Sequence, residues 1–237
     1  MIDTERAPRG PLEPASEHPH LYPVFFPSVS SLKTALSPTD SVRLLKALKY
    51  PRFLVSANDI ATDRDKRAFT ELLYECRGAG AHVLLDSGNY EAFWTRDLTW
   101  TQERFHEVLR LGQSDVAFSF DRQFVPPDVP AAVAAVTTNA NGDALVSPVP
   151  IVPIIHGPRE LLPDIAKRVA SDLHALAIAV PERELGFDLS QRFQTLRAIR
   201  TALGPGDSTR VHLLGTGNPI SMLVYALAGA DLNHPLI

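Results

Sequence analysis

The sequence predicts an α/β fold, specifically a TIM-like (β/α)8 barrel, and three observations carry that prediction. Short apolar runs recur along the chain, most runs end in polar or acidic residues, and the intervals between them have helical periodicity. This alternation is typical of parallel strands joined by helices. An open doubly wound sheet fits the same alternation and stays open. In either architecture the loops after the strand ends build the ligand site, so the arrangement of the sequence is typical of an enzyme.

Seven apolar runs are strand candidates, and the tail is all or part of an eighth strand, which leaves the eighth unit incomplete. Six of the intervals are predicted helices, with start signals such as Asn218 followed by Pro219. The predicted strands are 21–29, 52–59, 82–90, 115–121, 151–157, 173–182, 210–219 and the tail 230–237. The predicted helices are 37–50, 63–80, 99–112, 158–171, 188–204 and 218–230.

Two segments fall outside this alternation. Residues 1–20 are rich in proline and charge and predict a flexible leader before one barrel domain at 21–237. Residues 125–150 are rich in proline and alanine, and predict a substrate-side insertion with a short helix at 130–137.

Composition excludes several classes of protein. The net charge of -4 argues against a broadly basic protein that coats nucleic acid. Cys76 is the single cysteine, which excludes an intrachain disulfide and a cysteine-based zinc cluster. No apolar run reaches the roughly 18 residues of a membrane span, and the N-terminus lacks a signal-peptide core. We therefore expect a cytoplasmic protein with no membrane partner.

Polar residues at the predicted strand ends are the candidates for chemistry. Asp86 ends a wholly apolar run, where partial burial can tune a carboxyl as a base or nucleophile. Ser87 and Gly88 follow it; the glycine lets the backbone approach a ligand, and Tyr90 offers a flat stacking surface. The alternative is that Asp86 merely caps the next helix.

The same position recurs after later strands. Asp121 follows one run, His156 another and Glu182 a third, although a turn aspartate and a packed core histidine are the plain alternatives. Gly215 belongs to a glycine pair that could admit a phosphate or sugar near a helix N-terminus, or form an ordinary turn. The sequence has none of the common nucleotide-loop or zinc-helix motifs, so we expect no cofactor and no metal.

The order of these motifs resembles the tRNA-guanine transglycosylase superfamily, which includes relatives that place 7-deazaguanine in DNA. The resemblance spans residues 21–232, and its last segment is the most specific. The matching segments are PVFFPSVS, LLDSGNYEAF, AFSFDRQF, VPIIHG, LAIAVPERELG and HLLGTGNPISMLVYALAGADL.

The resemblance implies a barrel that exchanges a base at an N-glycosidic bond through a covalent carboxylate intermediate. It implies that Asp86 is the general acid/base and that Tyr90 stacks on the base. It also implies that Asp121 reads the exocyclic edge of a guanine-like base. His156 stands where the family has a glutamine, and the backbone of Ala177 where it has a glycine amide.

The sequence departs from the family where the chemistry is most demanding. The aspartate of the family's final segment matches Asp231. The family's nucleophile is an aspartate three positions later, and this sequence has His234 there. Asp86 or Asp231 could take over as the nucleophile, although neither matches the family role; a native chain that continues past Ile237 and an inactive protein are the alternatives. The family's zinc subdomain has no counterpart here, which weakens the assignment to tRNA.

Three functions stay open. The first is exchange of a guanine or 7-deazaguanine base in tRNA, in DNA or in a free nucleoside. The second is an inactive accessory subunit that pairs with a catalytic homologue in a heterodimer. More generally, the expected partners include a second copy of this chain, as a homodimer, or a homologue, as a heterodimer. The third is an unrelated barrel hydrolase that uses Asp86 and Asp121 as an acid/base pair.

Overall fold

The structure is a computed structural model that describes residues 23–32, 34–121 and 125–234. The leader predicted at 1–20 and the last three residues of the predicted tail lie outside these ranges.

The strands form two parallel sheets, which confirms the α/β class. One sheet has the order β1-β9-β8-β7, and the other has the order β2-β3-β4-β5-β6. The strands are β1 (Val24–Phe25), β2 (Ser28–Val29), β3 (Arg52–Ser56), β4 (His82–Asp86), β5 (Val116–Phe118), β6 (Ile151–Val152), β7 (Ala177–Pro181), β8 (Arg210–Leu214) and β9 (Leu232–His234). Each of the eight predicted runs therefore contains strand, and only the first run is divided in two.

Backbone hydrogen bonds connect the two sheets at both boundaries. The segment 24–29 contributes β1 to one sheet and β2 to the other, on either side of Pro27. At the second boundary a parallel bridge joins Ile154 to Ala179. The amide of Ile155 donates to Ala179 O at 2.9 Å, which extends that bridge. Since all of these pairings are parallel, the carboxyl ends of the strands in both sheets lie at the same edge of the molecule.

All six predicted helices are present, and the described part of the chain contains additional short ones. The helices α2 and α4 and a 3-10 helix at Glu182–Leu185 follow directly after strands, where the sequence pattern predicts only strand ends. The helices are α1 (Pro38–Ala47), α2 (Ala57–Thr62), α3 (Lys66–Gly78), α4 (Asn89–Thr95), α5 (Gln102–Leu109), α6 (Val129–Ala144), α7 (Leu162–Leu173), α8 (Leu189–Leu203) and α9 (Pro219–Ala228).

The predicted insertion is a regular helix of the alternation, so the short helix expected at 130–137 is wrong in extent. Helix α6 continues through a stretch rich in Thr, Asn and Gly, residues that favour helices weakly. Ala132, Val136 and Ala140 are nevertheless buried at four-residue spacing. Asp128 caps the helix by accepting a hydrogen bond from Ala131 N at 2.8 Å. Burial of the apolar stripe thus outweighs the weak local preference.

Three apolar clusters make up the core. Two of them lie between helices and strands, on opposite sides of the bridge at Ile154. The third consists mainly of strand side chains, including Phe26, Leu84 and Phe118. Within the described ranges, no helix combines the length and the apolar character that a membrane crossing requires.

Candidate functional site

A narrow cleft opens at the carboxyl ends of the strands. Its volume is about 660 Å³ when the open mouth is included. Strand ends from both sheets contribute to its walls. The polar lining residues used below are Ser30, Asp86, Ser87, Asn89, Tyr90, Glu91, Asp121, Arg183 and His234.

Asp86 is the last residue of β4 and enters the cleft from a tight turn. Its Oδ2 accepts a hydrogen bond from Gly88 N at 3.2 Å. Gly88 has φ of 81°, and a Cβ there would lie 2.4 Å from Asn58 N, so the turn requires glycine. Burial and the negative charges of Glu91 and Asp121 raise the pKa of Asp86 to about 7. The carboxyl can therefore either give or take a proton near neutral pH.

Two acids behind Asp86 belong to the site and were not predicted. Glu91 is 4% exposed and accepts hydrogen bonds from the hydroxyls of Ser30 and Ser56, both at 2.7 Å. Asp59 accepts from Ser31 N, and burial together with the charge of Glu91 raises its pKa to about 7. Asp59 lies in α2 and Glu91 in α4, two helices that the sequence analysis did not predict. The feature of the sequence that could have identified them is their position shortly after a strand.

Asp121 and His156 meet as predicted, and a third residue joins them. His156 Nε2 lies 2.8 Å from Asp121 Oδ1, and His156 Nδ1 lies 2.5 Å from Glu184 Oε1. Glu184 Oε2 also accepts from Gly157 N at 3.1 Å. Burial alone would lower the pKa of His156, but the hydrogen bonds and charges of Asp121 and Glu184 raise it to about 9. His156 is therefore an imidazolium between two carboxylates at neutral pH.

The loops after β4 and β5 are tied together beside Asp121. Asn89 Nδ2 donates to the backbone oxygen of Asp121. Ser87 O accepts from the indole of Trp100 at 3.1 Å. Tyr90 lines the cleft, and its ring meets Trp94 edge-on with centroids 6.2 Å apart. Ser87 and Tyr90 thus lie where the sequence places them.

His234 forms part of the cleft wall as the last residue of β9, and it has a buried histidine for a partner. Its Nδ1 is 2.8 Å from Nε2 of His212, and Phe118 stands edge-on to His212. Burial lowers the pKa of His234 to about 3. Burial and the charge of His234 lower the pKa of His212 well below its usual value. Both imidazoles are consequently neutral, and one donates to the other.

The structure does not bring every predicted residue to the cleft. Asp231 precedes β9 at the opposite, amino edge, where its Oδ2 accepts from Val211 N at 2.8 Å and from Arg200. Ala177 begins β7 and is buried among interior strand side chains, four residues before Pro181 at the cleft.

The remaining candidates have structural roles. Gly215 has φ of 86° and donates its amide to His234 O at 3.0 Å, so it shapes the backbone after β8. Glu182 turns away from the cleft, because its Oε1 accepts from Arg192 at 2.7 Å and from the hydroxyl of Tyr225 at 2.6 Å. Glu184, two residues later, takes the position at the site that the sequence suggested for Glu182.

Comparison with models of known families found no match for this sequence, and comparison with curated proteins found none either. Among the described residues, no group of three or more His, Cys, Asp and Glu side chains is arranged to bind a metal ion. Chemically, the cleft offers an acid/base carboxyl at Asp86, a carboxylate at Asp121, and the ring of Tyr90 beside them.

Proposed function

We propose that this chain exchanges a guanine or 7-deazaguanine base at an N-glycosidic bond, on a (β/α)8 barrel. One observation carries the proposal. Asp86 and Asp121, from successive strand ends, open on a single cleft that Tyr90 also lines. Two carboxyls and an aromatic ring suit a purine, whose edge offers N–H donors and whose faces stack.

The strand pairings support the barrel. If the segment 24–29 counts as one strand, eight parallel strands follow one another from β1/β2 to β9. The Ile154–Ala179 bridge then links β6 to β7, and the pairing of Val24 with Leu232 links the last strand to the first. Active sites of such barrels lie at the carboxyl ends of the strands, as this cleft does.

Asp86 is the acid/base residue in this proposal. When the glycosidic bond breaks, the departing base keeps the bonding electron pair and takes a proton from the protonated Asp86, which leaves the anomeric carbon as an oxocarbenium ion. A ring nitrogen of the incoming base attacks that carbon with its lone pair, and the proton that this nitrogen loses goes to the Asp86 carboxylate. A carboxyl with a pKa of about 7 suits both transfers, because each form is well populated at neutral pH. Asp121 accepts hydrogen bonds from the base edge.

A second function has its own supporting observation. His234 occupies the family's nucleophile position, yet it is buried, neutral and bonded to His212. A residue engaged in this way suits an accessory subunit that binds the base and leaves catalysis to a partner. The two functions share the cleft and differ in whether a covalent bond changes.

Two exposed aromatic rings beside the cleft favour a nucleic acid as the carrier of the base. Phe93 is 64% and Trp94 is 54% exposed, and Trp94 stands next to Tyr90. Exposed rings beside a base pocket can stack on the nucleotides that flank the target base. Replacing Phe93 with Ser should therefore weaken binding to a polymer and spare binding to free guanine.

The test measures incorporation of labelled guanine into tRNA, duplex DNA and a nucleoside by the purified protein. Asp86→Asn should lower incorporation by about 100-fold or more, the loss typical of a general acid/base. Asp231→Asn is the matched control, since it makes the same change at the other edge of the sheet. Guanine binding without incorporation would favour the accessory subunit, and release of base without exchange would favour a hydrolase.

A further inference from the structure

The side chains of Asp121, His156 and Glu184 form a row that runs from the cleft into the protein. Asp121 lines the cleft and also a neighbouring cavity of about 710 Å³, open mouth included, beside residues of α6; His156 lines that second cavity and not the cleft. Glu184 lies beyond His156 in the 3-10 helix that follows β7. The histidine is therefore placed behind Asp121 rather than against a ligand in the cleft.

We propose that His156 and Glu184 are positioning residues, which orient Asp121 as an anion so that the cleft selects ligands presenting adjacent N–H donors. The ligand class rests on the proposed function, but the positioning role is a property of the free protein. It differs from the sequence expectation, in which His156 replaces a glutamine that contacts the base.

The geometry explains why three residues are needed. The side chains of Asp121, His156 and Glu184 are each no more than 10% exposed, so a bare carboxylate there would be costly. The imidazolium neutralises one negative charge and forms an ion pair with Asp121, whose Oδ1 lies 2.8 Å from Nε2, so the carboxylate is held towards the histidine. Glu184 fixes the imidazole in turn, and its second oxygen is bound by Gly157 N. The row as a whole carries one negative charge.

Other charges act on Asp121 as well. Asp121 shares the region with three further acids and one guanidinium, so His156 supplies a positive charge directly beside it. The charged or titratable residues that line the cleft with Asp121, or contact those that do, include Asp86, Tyr90, Glu91, Arg183, Glu184, His212 and His234.

A first arm of the test is nitrogen NMR of the His156 ring in the free protein at about pH 8. The proposal expects both ring nitrogens to be protonated in the wild type. Glu184→Gln should shift the titration of this ring to lower pH. A neutral His156 ring in the wild type at that pH would overturn the proposal, whatever the protein does with guanine.

The second arm is calorimetric binding of guanine and of hypoxanthine, which lacks the exocyclic amine. Glu184→Gln should weaken guanine binding by about tenfold or more and hypoxanthine binding less, because the amine loses a charge-assisted bond to an oriented Asp121. Glu182→Gln is the matched control and should leave both affinities and the His156 signals unchanged. Equal loss for both bases would overturn the selectivity.

The two arms separate the two proposals. A wild-type protein that binds no guanine, yet shows the expected His156 signals, contradicts the proposed function and the selectivity but supports the positioning. Thermal unfolding of each variant checks that a loss of affinity is not a loss of fold.

Discussion

Two buried histidine environments at the same edge of the sheets have opposite charge. His156 lies between Asp121 and Glu184 and is an imidazolium, with a pKa raised to about 9. His234 lies against His212 among aromatic rings and is neutral, with a pKa lowered to about 3. His156 and His234 are 5% and 3% exposed, so burial is nearly equal and the neighbours decide the charge.

The largest expected effect comes from removing an anion that His156 needs. Glu184→Ala should lower the free energy of unfolding by about 3 kcal/mol at pH 7, because a buried charge loses one partner. Urea unfolding measures the loss. Glu160→Ala removes an exposed carboxylate and should leave the free energy of unfolding nearly unchanged. Equal losses in the two variants would mean that Glu184 does not stabilise a buried charge.

The next largest effect is a loss of stability at alkaline pH. The folded pKa of His156 is raised above the unfolded value of 6.5, so its contribution is full below pH 6.5 and is lost as pH rises through about 9. Between pH 7 and 8.5 the loss should be about 2 kcal/mol. Urea unfolding at the two pH values checks this, and His156→Gln should lack this part of the slope. An identical slope in both proteins would place a neutral histidine at position 156.

The smallest effect is a loss of stability at acidic pH, and it arises because the folded pKa of His234 is lowered rather than raised. The folded pKa of His234 is lowered to about 3, so the unfolded chain binds the proton first, and stability falls as pH drops below 6.5. Between pH 7 and 5.5 the loss should be about 1 kcal/mol. His234→Asn retains an acceptor near Nδ1 and should lose less than the wild type in urea unfolding. If acidification changes the free energy of unfolding equally in the wild type and the variant, His234 is not neutral in the folded protein.

Much of the fold was accessible from the sequence, because apolar strands and amphipathic helices leave periodic signals. The α/β class, the strands and the six helices follow from that pattern. Helix α6 was underestimated because local preference predicts a break after residue 137, where Ala140 and Asp143 are in fact buried by tertiary packing. The closed barrel and the transglycosylase resemblance stay predictions.

The site was predictable in part, for a different physical reason. Asp86, Asp121 and His156 were found because they lie at the end of an apolar run, either as the last residue of a strand or within a few residues after one. Glu184 was missed in favour of Glu182, since a 3-10 helix rotates successive side chains and the sequence does not indicate which one faces inward. Asp231 was assigned by resemblance and lies at the other edge, bound to Arg200.

The segment 24–29 has a consequence for how the chain folds. Val24 pairs with Leu232 and Ser28 pairs with Leu54, so one short segment joins the beginning of the described chain to its end. Pairing residues so distant in sequence carries a large loop-closure cost and slows folding. The pairing of β1 with β9 should therefore form late, after the local βα units. Because β9 ends at His234, the last wall of the cleft forms only when β9 pairs with β1, which is distant from it in the sequence.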